Sequence, residues 1–219
     1  ANLVGGRGDL DVACRDGYVS VIFPEKPAFV YGVYNDEKEL SAAKARNLKN
    51  AKFLLADARR LPLLDRSVDA CVSLETIEHF VEQDEFLKEI KRVVRPDGVV
   101  IISTPDKDVN MKMGVYHGRG HGGHEHPGEM PLEKFKELVA RHFSEPKYYG
   151  QLFLKEEPRF LHKLVNFIKR LDFLHLRRIF SKKIRDKLNV SARLVEDDFG
   201  VKPLVGKAAQ VIVVCVNGK

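Results

Sequence analysis

The stretch L-D-V-A-C-R-D-G at residues 10–17 predicts a buried strand that ends in a loop of small and polar residues. Four more short apolar runs follow within the first half of the chain, at Phe29–Val33, Lys52–Leu55, Ala70–Ser73 and Gly98–Ser103. Helix-forming or turn-forming stretches separate these runs. Strands that alternate with helices in this way predict an α/β fold with a doubly wound, mostly parallel sheet and helices on both faces.

The stretches between and after these runs predict the other elements. Asp36–Leu48 and Asp84–Val94 have helix-forming compositions, and each begins with an aspartate suited to cap a helix. The sequence R-P-D-G at residues 95–98 predicts a turn. Further along, we expect a helix at about Leu132–His142, a strand near Tyr148–Leu154, and a last strand at Ala208–Val216 inserted beside the preceding one.

The composition is that of one globular domain with an elaboration. The 219 residues are 44% hydrophobic and 31% charged, and no apolar run approaches the roughly 20 residues that span a bilayer. Residues 1–10 lack the basic and apolar segments of a secretory signal, so we expect a cytoplasmic protein. Cys14, Cys71 and Cys215 have no metal-type spacing, which predicts buried reduced thiols.

The positive charge of the chain lies in one segment. Residues 155–193 hold twelve Lys and Arg against four Asp and Glu, whereas acidic residues outnumber basic ones elsewhere. Apolar residues recur there at near-helical spacing, so we expect a basic helical insertion or cap over residues 155–200. Such a surface suits an anionic membrane or a nucleic acid, and it equally suits a solvated helical face.

The loop at residues 10–17 resembles the first motif of class I S-adenosylmethionine-dependent methyltransferases, in which an acidic residue precedes a loop of small residues. Four later stretches resemble further motifs of that family in the same order, at residues 53–58, 61–69, 73–79 and 86–98. The resemblance covers most of residues 9–154. It implies an enzyme with a seven-stranded Rossmann-like sheet and an antiparallel last strand, in one domain over residues 1–219 with its core at 9–154 and 208–216.

The resemblance also implies which residues hold S-adenosylmethionine. The loop after the first strand would lie against the methionine part of the cofactor, and Asp57 would contact the adenine amino group. The implied cofactor-binding residues are Asp11, Ala13, Cys14, Gly17, Tyr34, Asp57, Ala58 and Leu74. The chain begins almost at its first strand, without the helix that often precedes it in this family, which leaves open that it is a fragment.

Two positions depart from the family pattern. Arg15 stands where the family has a glycine, and Tyr34 stands where an acidic residue holds the ribose hydroxyls. Asp36 is an alternative carboxylate, although it also suits a helix cap. A glycine-rich stretch at residues 3–9 is a rival position for the loop, but it lies too far upstream of the second strand. A domain with an impaired cofactor pocket is therefore the alternative.

Glu75, Glu78 and His79 follow the fourth strand at spacings that place them on one face of a helical turn. This E-x-x-E-H pattern resembles the metal site of small-RNA 2′-O-methyltransferases and of ubiquinone-pathway O-methyltransferases. In the RNA group a later histidine completes the site, and His126 matches it. The resemblance implies a divalent metal such as Mg²⁺ on Glu75, Glu78, His79 and His126. The alternative is that these residues only support the helix.

His79 and His126 are also the candidate catalytic bases, because imidazole accepts a proton near neutral pH. The Gly- and His-rich loop at residues 114–128 predicts a lid over the substrate. An independent metal site in that loop is an alternative, and it would use His117, His121, His124 and His126.

The expected reaction is methyl transfer from S-adenosylmethionine to an oxygen or nitrogen of a small-molecule or lipid-like acceptor. Such a reaction needs positioning and proton removal rather than a covalent nucleophile. Two alternatives stay open: a methyltransferase-like binding or scaffold domain, and a metal-assisted RNA 2′-O-methyltransferase. The sequence indicates neither the acceptor nor the oligomeric state.

Overall fold

One sheet organises the part of the chain that the computed structural model describes, namely residues 8–14, 29–113, 126–153, 202–204 and 207–218. Its strands are β1 (Asp9–Val12), β2 (Val30–Tyr34), β3 (Ala51–Leu55), β4 (Val68–Ser73), β5 (Val94–Pro105), β6 (Ser144–Phe153), β7 (Lys202–Pro203) and β8 (Ala208–Val216). They lie in the order β3-β2-β1-β4-β5-β8-β6-β7.

The five strands β1–β5 pair in parallel, whereas β8 runs antiparallel to both β5 and β6. The predicted α/β fold, with its doubly wound, mostly parallel Rossmann-like sheet and antiparallel last strand, is therefore confirmed. Seven strands are those predicted. The eighth, β7, is a two-residue strand paired with β6 at the sheet edge.

The helices are α1 (Glu37–Ala45), a 3₁₀ turn at Ile77–His79, α2 (Gln83–Val93), α3 (Lys107–Met113) and α4 (Leu132–His142). Asp36 caps α1 as predicted, since its carboxylate accepts hydrogen bonds from the amides of Lys38 at 2.8 Å and Glu39 at 3.1 Å.

The prediction that Asp84 caps a helix is wrong. The second long helix already begins at Gln83, and the Asp84 carboxylate lies 2.7 Å from His142 Nε2 and 3.3 Å from an Arg141 nitrogen of α4. This aspartate therefore joins two helices.

The predicted turn at residues 95–98 is an irregularity within β5 rather than a loop before it. Val94 pairs with Val68, and Val99 pairs with Ala70, so the strand gains residues between these two pairs. Asp97 takes a left-handed φ of 63°, and a side chain on Gly98 would lie 2.7 Å from the Asp69 carbonyl oxygen. The R-P-D-G signal thus marks a bulge.

The core lies between the sheet and the apolar faces of α2 and α4. These helices bury Phe86, Leu87, Ile90, Val93, Phe135, Leu138 and Val139 against strand residues such as Leu10 and Val213. The three cysteines are buried and free, as predicted, and burial raises the pKa of the Cys215 thiol to about 12.

Several predictions concern residues outside the described part. The basic segment 155–193, Arg15, Gly17 and most of the loop at 114–128 lie there. Within the described ranges, no helix is long and apolar enough to cross a membrane.

Candidate active site

The predicted cofactor residues that the structure describes lie together along the side of the sheet where the carboxyl ends of the parallel strands meet. Asp11 is in β1 and is buried, Tyr34 ends β2 and is half-buried, and Asp57 follows β3. Ala13, Cys14, Ala58 and Leu74 follow the strand ends as well. We call this group the cofactor edge; Gly17 lies outside the described residues.

The backbone turns sharply as it leaves β1. Ala13 has a left-handed φ of 63°, a conformation that residues other than glycine seldom adopt. The next amide, of Cys14, donates a hydrogen bond of 3.1 Å to the Val33 carbonyl of β2. A small residue in a left-handed turn lets the backbone approach a ligand closely, as the predicted methionine contact requires.

Asp57 is held by a neighbour that the sequence reasoning missed. Its carboxylate accepts hydrogen bonds from the Arg59 guanidinium, the shortest at 2.7 Å, and from the Arg59 amide at 2.8 Å. Arg59 also pairs with Glu82 at 2.8 Å and lies over the Phe80 ring. These hydrogen bonds hold the pKa of Asp57 below its usual value. An ionised carboxylate keeps further lone pairs that suit an adenine amino group.

Glu75 does not share a helical face with Glu78 and His79, because the turn that follows β4 is shorter than predicted. Glu75 has a left-handed φ of 49° and precedes the 3₁₀ segment. Its carboxylate accepts a hydrogen bond from Ser103 Oγ at 2.7 Å and one from Gln210 Nε2 at 3.4 Å. Of the four predicted metal ligands, Glu75 is therefore turned towards β5 and β8.

The other three predicted metal ligands come together. One ligand atom from each of Glu78, His79 and His126 lies within 4.8 Å of the others, and we call this group the histidine cluster. The two imidazole rings meet edge to face, with centroids 4.6 Å apart. Both predicted catalytic histidines thus lie beside the ends of β4 and β5.

Glu78 is the buried member of the histidine cluster, with 1% of its surface exposed. Thr104 Oγ1 at the end of β5 donates to its carboxylate at 3.2 Å. Burial, followed by the charges of Glu75 and Glu129, raises the pKa of Glu78 to about 8. A cation beside this carboxylate would lower that pKa.

Backbone contacts hold His126 against the turn that carries Glu78. The Gly128 amide donates to the Glu78 carbonyl at 2.9 Å, and Gln83 Nε2 donates to the Gly128 carbonyl at 2.7 Å and to the Ile77 carbonyl at 3.2 Å. A side chain on Gly128 would clash with the Phe80 carbonyl. We call these contacts the Gln83 latch. Sequence reasoning missed Gln83, since nothing in the local pattern separates it from other helix-start residues.

Comparison with known proteins finds similarity to methyltransferases. Residues 10–102 match the model of a family described as a methyltransferase domain. The chain is 34% identical over 107 residues to a probable S-adenosylmethionine-dependent methyltransferase of Mycolicibacterium smegmatis, which covers 49% of this chain and 41% of the relative. The chain thus spans about two fifths of the length of this curated relative.

Solved structures share the fold. A Thermotoga maritima protein described as a SAM-dependent methyltransferase, possible histamine N-methyltransferase, superposes with a TM-score of 0.66 at 18% identity, over 98% of this chain and 84% of that one. Phosphoethanolamine N-methyltransferase 2 of Haemonchus contortus, solved with S-adenosyl-L-methionine, gives 0.59 at 17% identity, over 100% and 50%. The match over residues 10–102 and the shared fold support the resemblance to class I S-adenosylmethionine-dependent methyltransferases.

Proposed function

We propose that this domain transfers a methyl group from S-adenosylmethionine to an oxygen or nitrogen of a small-molecule or lipid-like acceptor. The observation that carries the proposal is the pairing of His79 with His126 beside the ends of β4 and β5. In an open α/β sheet, these strand ends border the crevice in which ligands bind. Two imidazoles next to a cofactor edge provide a base near the methyl donor.

The cofactor edge offers groups that fit S-adenosylmethionine. We assign Ala13 and Cys14 to the methionine part, with the buried Asp11 beneath them, and Asp57 and Ala58 to the adenine. Tyr34 offers one hydroxyl to the ribose, where a carboxylate would accept two hydrogen bonds. We therefore expect the cofactor to bind, with the ribose held less firmly than the adenine.

When bound, S-adenosylmethionine supplies an activated methyl group whose C–S bond electrons stay on sulfur. The chain supplies alignment and a proton acceptor. The exposed His79 or the half-buried His126 takes the proton from the acceptor O–H or N–H as the new bond to the methyl carbon forms. Neutral imidazole suits this step near pH 7.

An assay with isotopically labelled S-adenosylmethionine and a panel of alcohols, phenols, amines and lipid headgroups tests the proposal. We expect one acceptor class to take label, at a rate that falls in a His79→Ala/His126→Ala double variant. His142→Gln is the matched control, because His142 is a histidine that pairs with Asp84 instead. Absence of transfer to every class, together with absence of cofactor binding, would favour a binding or scaffold domain with an impaired pocket.

Metal-assisted 2′-O-methylation of RNA is the second candidate. The convergence of Glu78, His79 and His126 favours it, because a divalent ion such as Mg²⁺ lowers the pKa of a bound hydroxyl. The basic segment 155–193 is then the proposed contact for RNA, whereas for a lipid-like acceptor it is the proposed contact for an anionic membrane. RNA binding should weaken steeply with salt.

A further inference from the structure

We propose that Arg59 is a positioning residue that makes the cofactor edge selective for adenine. It holds the Asp57 carboxylate so that one acceptor position is left for the amino group of the base. The inference rests on the proposed function, because it concerns how S-adenosylmethionine is recognised. Arg59 acts through Asp57 and not on the reacting atoms.

Among the residues that the structure describes, Arg59 supplies all the N–H groups that reach the Asp57 carboxylate. Its amide donates to Oδ1 at 2.8 Å, and its Nη2 donates to Oδ2 at 2.7 Å. Its Nε lies between the two oxygens, at 3.1 and 3.2 Å. An ionised carboxylate has about four lone-pair positions, so these N–H groups leave about one of them for a ligand.

The position that is left can accept a hydrogen bond but cannot donate one. The hydrogen bonds from Arg59 hold the pKa of Asp57 below its usual value, so the carboxyl group stays ionised near neutral pH. The amino group of adenine donates, whereas the carbonyl oxygen at the same place in hypoxanthine only accepts. A carbonyl there would face a carboxylate oxygen with no proton between them, which favours adenine over hypoxanthine.

The Arg59 guanidinium is itself held in place on a second side and across its face. Nη1 pairs with Glu82 Oε2 at 2.8 Å, and the group lies over the Phe80 ring, 5.6 Å from its centroid. Phe80 stacks on the buried Phe86, with centroids 5.0 Å apart. A planar guanidinium fixed in this way imposes one orientation on a carboxylate, whereas a lysine ammonium is a point charge that imposes none. The orientation of Asp57 therefore depends on the shape of Arg59 as well as on its charge.

Arg60 provides a control within the chain. It carries the same charge at the next position, but its side chain is exposed. Its amide donates to the backbone carbonyl of Asp57 at 2.9 Å and not to the carboxylate. A substitution of Arg60 thus removes one positive charge from this surface without removing a hydrogen bond from the carboxylate.

Calorimetric titration of the unmodified protein with S-adenosylhomocysteine and S-inosylhomocysteine tests the selectivity. The second ligand has a carbonyl oxygen in place of the amino group and an N–H in place of the ring nitrogen beside it. We expect S-adenosylhomocysteine to bind about tenfold to a hundredfold more tightly. A fully buried site discriminates more strongly, but the Asp57 side chain is 43% exposed. Equal affinities for the two ligands would overturn the proposal.

Variants assign the ratio of the two affinities to Arg59. Arg59→Ala and Arg59→Lys should each lower this ratio by about tenfold, as expected for one hydrogen bond to a charged group. Arg60→Ala should leave the ratio within about twofold. A merely structural role of Arg59 would weaken both ligands alike and leave the ratio unchanged. An unchanged ratio in Arg59→Lys, or an equal fall in Arg60→Ala, would overturn the proposal. Circular dichroism identifies a variant that fails to fold, and if Arg59→Ala does so, Arg59→Lys carries the test.

A double variant tests whether Arg59 acts through Asp57. Asp57→Asn should lower the ratio at least as far as Arg59→Ala, because an amide can donate as well as accept. Arg59→Ala/Asp57→Asn should show no further fall, as two residues that act as one unit are not additive. A further fall in the double variant would contradict the positioning role.

The same titrations separate this inference from the proposed function. If the unmodified protein binds neither ligand up to millimolar concentration, the assignment of the cofactor edge fails, and the role of Arg59 fails with it. If S-adenosylhomocysteine binds but Arg59 does not control the ratio, the role of Arg59 alone is overturned, and the proposed methyl transfer stands.

Discussion

The cofactor edge and the histidine cluster lie beside the same sheet but are assembled differently. The residues of the cofactor edge lie at or just after the ends of β1–β4, and Asp57 is held by Arg59, two positions along the chain. In the histidine cluster, His126 lies against His79, and the Gln83 latch joins the two segments, which are distant in sequence. Local motifs therefore specify the cofactor edge, whereas long-range contacts specify the histidine cluster.

The largest expected effect separates chemistry from cofactor binding. The His79→Ala/His126→Ala variant should lower the methyl-transfer rate by about 10²–10⁴-fold, the range for loss of a general base. Its affinity for S-adenosylmethionine should stay within about threefold of the unmodified protein, because both histidines lie outside the cofactor edge. Single-turnover kinetics and calorimetry measure the two quantities. A matching loss of cofactor affinity would show that the two regions are one site.

A gain-of-affinity variant tests whether Tyr34 at the proposed ribose position weakens cofactor binding. Tyr34→Asp should tighten S-adenosylmethionine binding about tenfold to a hundredfold, because charge-assisted hydrogen bonds contribute about 1.5–3 kcal/mol each. Tyr34→Phe is the control, since it removes the hydroxyl without adding a carboxylate. Equal affinities for the Asp and Phe variants would contradict the ribose assignment.

Removal of the Asp57 carboxylate, which we assign to the adenine, should change cofactor affinity by a smaller factor and in the opposite direction. Asp57→Asn should weaken S-adenosylmethionine binding about tenfold, as expected for one hydrogen bond to a charged group. Arg59 lowers the pKa of Asp57 below its usual value of 3.8, so the carboxyl group is ionised at any pH above that value. Protonation of Asp57 should therefore not weaken cofactor binding between pH 8 and about pH 5. Calorimetry at several pH values measures both the tenfold loss and the pH dependence. A fall in affinity between pH 8 and about pH 5 that is absent from the Asp57→Asn variant would contradict the expected pH dependence.

The smallest effect concerns stability away from both regions. The hydrogen bond with His142 lowers the pKa of the Asp84 carboxyl group. The stability that this carboxylate adds to the fold is therefore complete above the unfolded-state pKa near 3.9, and it is lost as pH falls through the lower pKa of the folded state. Asp84→Asn should cost at most about 1 kcal/mol at pH 7, since the carboxylate is partly exposed. Urea unfolding measures this cost, which should shrink below about pH 4. A cost no larger than that of the neighbouring exposed Glu85→Gln would contradict it.

Short apolar runs and the turn-forming residues between them sufficed to predict seven of the eight strands, because strands such as β4 and β8 have clear boundaries in the sequence. They misplaced Asp84, since a capping residue and an ion-pairing residue look alike until the neighbouring helix is known. They also placed Glu75 with Glu78, because three residues can share a helical face only if a helix forms. Arg59 and Gln83 escaped prediction because their roles depend on partners that folding brings near.

Calorimetric titration of the unmodified protein with S-adenosylhomocysteine and S-adenosylmethionine tests the central claim most directly. We predict saturable binding of one ligand per chain with a dissociation constant in the micromolar range, despite Arg15 and Tyr34. Absence of binding up to millimolar ligand would contradict the assignment of the cofactor edge, and with it the proposed methyl transfer.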